Sequence, residues 1–316
     1  MIMNLKLKNL LQSQSVDVDG IYSSRIASSE DQAAEITLRE QVAAAQHDDY
    51  LAVISSSHSI MVMDHEVDRF LAKIPQGGLI LDIGGCWGWH WRRLANTRPD
   101  VGVLIVDFVR SNLPHARNVL GDLVGDQVAL MQADATALPF MVDSSFQGFN
   151  GVWTVQTFQH IPVYEKAVVE AYRVLKNSGC MIIYTPSEVG LLSNTSWAHL
   201  YHDSETSYLL DQRYYTIDSL SKLAEEAGFR IEYAGYHSVF FQEFFTQLFK
   251  WISSIMGKEY EHQAHIYRFT GSKLFAIYRW VLLPIIVLLV RLDELLFETI
   301  FRGKVPGHRI VVKCRK

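Results

Sequence analysis

Leu81–Arg93, "LDIGGCWGWHWRR", follows "GGLI" and reads as a buried strand ending near an acid, then a glycine turn, then the start of a helix. Such a turn lets backbone approach a bound nucleotide cofactor, because glycine has no Cβ and accepts left-handed φ. Gly84, Gly85 and Gly88 do not fall in the G-x-G-x-x-G register of a dinucleotide fingerprint, which argues against a nicotinamide-dependent reductase. Cys86 and Trp87 put bulk where such a loop is usually bare.

Downstream of the turn, short apolar runs alternate with helical stretches. "LILDI" (79–83), "VGVLIVDF" (101–108), "QVALMQAD" (127–134), "FNGVWTV" (149–155) and "GCMIIYT" (179–185) read as strands. "WHWRRLANT", "NLPHARNVLGDLV" and "YEKAVVEAYRVLK" read as the helices between them. Strands this apolar are buried on both faces, which predicts a parallel sheet with helices on each side. "TIDSLSKLAEEAG" is a further helix, "FRIEYAGYHSV" a sixth strand and "HRIVVKC" (308–314) a seventh. In such sheets the ligand sits beyond the carboxyl ends of the strands. The polar residues there are Asp82, Asp107, Asp134 and the stretch "TVQTFQHIP". An acid some 20–25 residues past the glycine turn suits the hydroxyls of a ribose.

With those residues in view, the chain resembles the class I S-adenosylmethionine-dependent methyltransferases, in their small-molecule branch. "LDIGGCWGWH" is similar to the glycine-loop motif of that family, "VLIVDF" to its second, acid-ended strand, and "QADATALPF" to its adenine-contacting segment. "FNGVWTVQTFQHI" and "AYRVLKNSGCMIIY" resemble the following two motifs, in order and at family spacing across Leu79–Tyr184. The resemblance implies an α/β, Rossmann-like sheet of seven strands, parallel except for the last, with S-adenosyl-L-methionine as cofactor. It places Asp82 at the cofactor's amino group, with Gly84, Gly85, Cys86 and Gly88 along its homocysteine part. It places Asp107 at the ribose, Phe108, Asp134 and Ala135 at the adenine, and Gln156 near the methionine end.

Three departures from the family pattern stand out. The middle glycine of the loop is Cys86, with Gly85 beside it as a substitute source of flexibility; the usual aspartate of the fourth strand is Asn150; and "NSGC" replaces a Pro-Gly-Gly turn. His160 follows the fourth strand where an acceptor would meet the methyl group. An imidazole titrates near neutrality, so His160 is the candidate general base, which favours an oxygen acceptor; its other reading is a cap on the helix that follows. Trp87 and Trp89 either wall the pocket or pack in the core. His202 and Asp203, beside Tyr201 and Tyr208, are further acceptor-pocket candidates. His262 and His265 share a helical face without a third ligand, and no metal site is expected.

The division expected along the chain is an N-terminal helical cap (1–75), a methyltransferase core (76–237), an apolar helical insert (238–304) and the last strand (305–316). The insert contains "KLFAIYRWVLLPIIVLLVRLDELLFETIF", whose uninterrupted apolar run Trp280–Val290 is too short to span a bilayer. Arg and Trp at its flanks suit a segment lying at a lipid surface, and a homodimer contact through 240–301 is the other reading. A formal charge of −5 gives no overall attraction to nucleic acid. Three scattered cysteines form neither a disulfide framework nor a zinc set and fit a reducing cytoplasm, either free or at the membrane face. The expected function is methyl transfer to a small or lipid-linked acceptor such as a saccharide or quinone precursor. A catalytically silent partner subunit at a membrane is the alternative.

Overall fold

A computed structural model of the chain describes residues 4–24, 58–188, 215–237, 239–241, 244, 276–307 and 309–316. The centre is five parallel strands: β3 (Leu79–Ile83), β4 (Gly102–Asp107), β5 (Val128–Gln132), β6 (Phe149–Val155) and β7 (Leu175–Pro186). Two strands from later in the chain, β8 (Arg230–His237) and β9 (Arg309–Arg315), complete one side, with β9 antiparallel between β7 and β8. This is the expected α/β sheet, with seven strands parallel except for the last.

The described residues add two strands the periodicity did not announce. β1 (Ser15–Val16) and β2 (Tyr22–Ser23) form a small hairpin, and β2 continues the sheet alongside β5. The full order is β1-β2-β5-β4-β3-β6-β7-β9-β8. Two-residue strands are too short to show the alternation that marks a strand in sequence. They are held by local polar contacts, with the Asp17 carboxylate accepting from the backbone N–H groups of Asp19 and Ile21.

Side chains alternate across the sheet and split the core in two. Leu81, Ile83, Leu104, Val106, Met131 and Val152 pack under helices α5 (Tyr164–Val174) and α6 (Ile217–Glu226). Ile80, Val103, Ile105, Leu130 and Trp153 pack on the other face. Their cover there is α2 (His58–Leu71), through Met63, Val67 and Phe70, and α4 (Leu113–Leu120), through Leu113 and Ala116. At the N-terminus, α1 (Leu5–Leu11) buries Leu7 and Leu11 in the first of these cores. The single helix expected over "WHWRRLANT" is instead a 3₁₀ turn, Trp89–Trp91, and a short α3, Leu94–Thr97. Gly88, left-handed at φ 68°, starts the turn sharply, and the chain tightens to seat Trp91 in the core.

Before β9 the chain is helical from residue 276 to 300. The middle is α7 (Leu283–Asp293), flanked by wider π turns at Tyr278–Leu282 and Glu294–Ile300. Pro284 has no N–H to donate back into the preceding turn, which is where the first widening occurs. No helix among the described residues is long and apolar enough to cross a membrane.

Candidate active site

Strand order reverses at β3, with β4 and β5 to one side and β6 and β7 to the other. A cleft opens at the carboxyl ends of these strands, the place where open α/β sheets bind ligands. Its walls contain Gly84 and Cys86 from the loop after β3, Asp107 and Phe108 from the end of β4, and Asp134 and Ala135 after β5. Gln156 and His160 come from the segment after β6. Asp82, Gly85 and Gly88 lie outside the lining.

The loop after β3 is a close-packed piece of backbone. Gly84 is left-handed at φ 71°, and a Cβ there would stand 2.3 Å from the Thr157 side chain. The Thr157 hydroxyl in turn donates to the carbonyls of Ile83 and Val155. Gly85 is bare for another reason: a Cβ on it would meet the Asp82 carboxylate at 2.3 Å. Cys86 itself takes the left-handed conformation, at φ 49°, so Gly85 does not stand in for the missing glycine. That conformation costs a residue with a Cβ about 1–2 kcal/mol. The Cys86 N–H donates to Asp107 Oδ2 at 3.0 Å, which holds the loop against the end of β4.

Asp107 also accepts from the Val109 N–H (2.8 Å) and from Asn112 Nδ2 (3.3 Å) on Oδ1. Asn112 carries no motif signal, though it stands five residues after the acid it orients. Asp134 uses Oδ1 for the Thr136 N–H (2.8 Å) and hydroxyl (2.7 Å), and Oδ2 has no protein partner among the described residues. Gln156 is left-handed at φ 54° and donates its N–H to the Tyr184 carbonyl. With its amide oxygen facing Arg309, Gln156 accepts from that guanidinium at 3.2–3.3 Å. Arg309 is the first residue of β9, more than 150 positions away in sequence, and no spacing rule would have joined the two.

Asp82 sits beneath the loop, fully buried, with its carboxylate accepting from Trp91 Nε1 at 2.7 Å. Burial pushes its pKa up to about 7, against the hydrogen bond from Trp91, with the nearby Asp107 charge adding to the rise. The folded state thus holds this proton more tightly than the unfolded chain. The resulting stability is complete below pH 3.8 and is lost as pH rises through about 7. Asp82→Asn removes that dependence and keeps an acceptor for Trp91. Its urea midpoint is expected to gain on the parent's between about pH 5 and about pH 8; a constant difference would mean Asp82 stays ionised.

The tryptophans belong to the core. Trp91 is buried against Trp153 (centroids 5.7 Å apart), Trp87 lies edge-on to His115, and none of Trp87, Trp89 and Trp91 lines the cleft. His90, buried beside Trp89 and Trp153, is held neutral at a pKa of about 3 by burial and by Arg92. The substitution at Asn150 is also explained. Its Oδ1 accepts from the Leu79 N–H at 2.9 Å, a task that needs an oxygen and no charge. Ser178, in the turn that replaces Pro-Gly-Gly, is left-handed at φ 65°. Tyr201, His202, Asp203, Tyr208, His262 and His265 lie outside the described residues.

Residues 80–179 match the family model described as "Methyltransferase domain". That stretch is a methyltransferase domain. It is 28% identical over 189 residues to a malonyl-[acyl-carrier protein] O-methyltransferase of Geobacter sulfurreducens, covering 59% of this chain and 67% of that one. It is 33% identical over 117 residues to a demethylmenaquinone methyltransferase of Thermus thermophilus, covering 37% of this chain and half of that one. Among solved structures, one described as a sarcosine dimethylglycine methyltransferase of Galdieria sulphuraria shares the fold. Its TM-score is 0.50 at 18% identity, over 81% of this chain and 86% of that one. The methyltransferase domain uses S-adenosylmethionine, and the cleft fits that cofactor. The bare backbone at Gly84, the buried acids at the ends of β4 and β5, and an Asp134 Oδ2 without a partner among the described residues make a cradle suited to an adenosine.

Proposed function

We propose that the protein methylates an oxygen of a small or lipid-linked acceptor, with a saccharide or a quinone precursor as the acceptor class. The observation that carries this reading is that His160 shares one cleft with Gln156, Gly84, Asp107 and Asp134. When bound, S-adenosylmethionine supplies an electrophilic methyl on a sulfonium. Asp107 would accept from the ribose hydroxyls and Asp134 Oδ2 from the adenine amine, while Ala135 offers its backbone N–H to the ring and Phe108 lies beside it. The backbone at Gly84 and Cys86 would run along the homocysteine part. Asp82, Gly85 and Gly88 would act from beneath, by shaping the loop.

Methyl transfer is an in-line displacement, so most of the acceleration comes from holding the acceptor oxygen in line with the methyl carbon. His160 would take the acceptor's hydroxyl proton as that oxygen receives the methyl group, for which the bound cofactor would supply the sulfonium leaving group. Gln156, pinned by Arg309, would orient the acceptor beside it. The malonyl relative is named for methylation on oxygen, which agrees with this assignment. An acceptor carried on a lipid would reach the cleft from a membrane surface.

Calorimetric titration with S-adenosylmethionine, followed by transfer of a labelled methyl group to saccharide and quinone-precursor acceptors, tests the proposal. Saturable binding with label appearing on acceptor oxygen is expected. A chain that binds no cofactor would instead be the silent partner subunit.

A further inference from the structure

The helical segment 276–300 buries Ile286 and Val290, yet it departs from an ordinary surface helix in where it puts its charges. Globular proteins put the apolar stripe of such a helix against the core and the charges in water. Here the three acids between residues 276 and 307 all face inward. Glu298 pairs with His237 Nδ1 at 2.8 Å and lies 3.8 Å from Arg69; Glu294 pairs with Arg69 at 2.9 Å. Both carboxylate oxygens of Asp293 accept from the Phe240 N–H at 3.1 Å, and Asp293 is only 4% exposed. Arg69, which receives this face, is fixed from behind by buried Glu66 on α2, and Glu66 also pairs with Lys313 of β9.

The outward face is apolar and positive. Ile277, Val281, Ile285, Leu288, Leu292 and Leu295 recur at three- or four-residue spacing, each between 40% and 59% exposed. Trp280, at the amino end, is 75% exposed with Arg279 against its ring. Arg279, Arg291, Arg302 and Lys304 are all exposed, and no acid in this segment is. Turning a helix over would bury these leucines and isoleucines, a gain of roughly 1.5–3 kcal/mol for each side chain fully covered. The ion pairs that hold the acidic face inward oppose that rotation.

We infer that the outward face of residues 276–304 docks on an anionic lipid surface, with the apolar stripe in the headgroup boundary and the four cations against lipid phosphates. Charge decides the occupant: a second copy would set four cations against four cations with no exposed acid in the segment to answer them. An anionic bilayer answers both the apolar stripe and the cations. This deepens the lipid-surface part of the proposed function and is independent of whether methyl transfer occurs.

The test is flotation of the full chain, without cofactor or acceptor, on vesicles of phosphatidylcholine alone and of phosphatidylcholine mixed with phosphatidylglycerol. Binding to the mixed vesicles is expected, and should weaken as screening shortens from ~10 Å at about 0.1 M salt to ~3 Å at about 1 M. Arg279→Gln and Arg291→Gln should each lower partitioning about five-fold, from ~1 kcal/mol per basic residue. Ile285→Glu with Leu288→Glu should abolish it while leaving cofactor affinity as in the parent. Parent chain that floats with neither vesicle, or equally with both at every salt, overturns the inference. So does a sedimenting dimer that the double glutamate variant dissociates without any vesicle binding. The parent's lipid and salt dependence is decisive on its own if a variant fails to fold.

Discussion

His160→Ala is expected to lower methyl-transfer turnover by about 100-fold or more, the usual worth of a positioned base, with cofactor affinity within about three-fold of the parent. The split between the two quantities carries the information. His160 lies past the end of β6, in the wall that also holds Gln156, and it is reached through a short 3₁₀ turn, Phe158–His160. Were it only a cap on α5, its loss would lower stability and leave turnover per folded molecule nearly intact. Turnover by stopped-time labelling and cofactor affinity by calorimetry, on the same preparations, separate these roles. Normal turnover in the folded variant removes His160 from the chemistry and with it the preference for an oxygen acceptor.

Asp107→Ala should weaken binding of S-adenosylmethionine and of S-adenosylhomocysteine by a similar factor, about 100-fold. Two hydrogen bonds from ribose hydroxyls to a carboxylate, at about 1.5 kcal/mol each, the low end for a charged acceptor, set that size. The equality matters because the two compounds share the ribose and differ at the sulfur. Asp107 also holds Cys86, Val109 and Asn112, so the variant loosens the loop as well. Asp107→Asn keeps acceptor capacity toward the loop and loses the charge, so a smaller loss of affinity is expected from it. Unchanged affinity in both variants would mean the ribose is held elsewhere.

Much of this site could be read along the chain because its parts are local. An acid at the end of each apolar run marks β3, β4 and β5, and strands buried on both faces leave little choice of sheet. The links that escaped are those made by distant residues or by short elements. Gln156 meets Arg309 through the folding of β9 between β7 and β8, Asn112 steadies Asp107 from a turn without a motif, and β1 and β2 are too short for alternation. Asp82 carried the right motif and stands in the wrong layer: period-two alternation puts it under the loop with Ile80 and away from the cleft. The orientation of residues 276–300 was hidden for a different reason. Hydropathy reports how apolar a helix is, whereas the inward face is chosen by Arg69 and His237, which lie far off in sequence.

Asn150 bears on how related chains are recognised. The position is usually written as an acid, yet what β3 asks of it is a single lone pair aimed at the Leu79 N–H. The same holds at Cys86 and Ser178, where a left-handed backbone is supplied without glycine. A pattern search that demands those letters would pass over this chain, whereas one that scores acceptor atoms and dihedral wells would retain it. Divergent members of such families are best sought by the geometry each column must deliver.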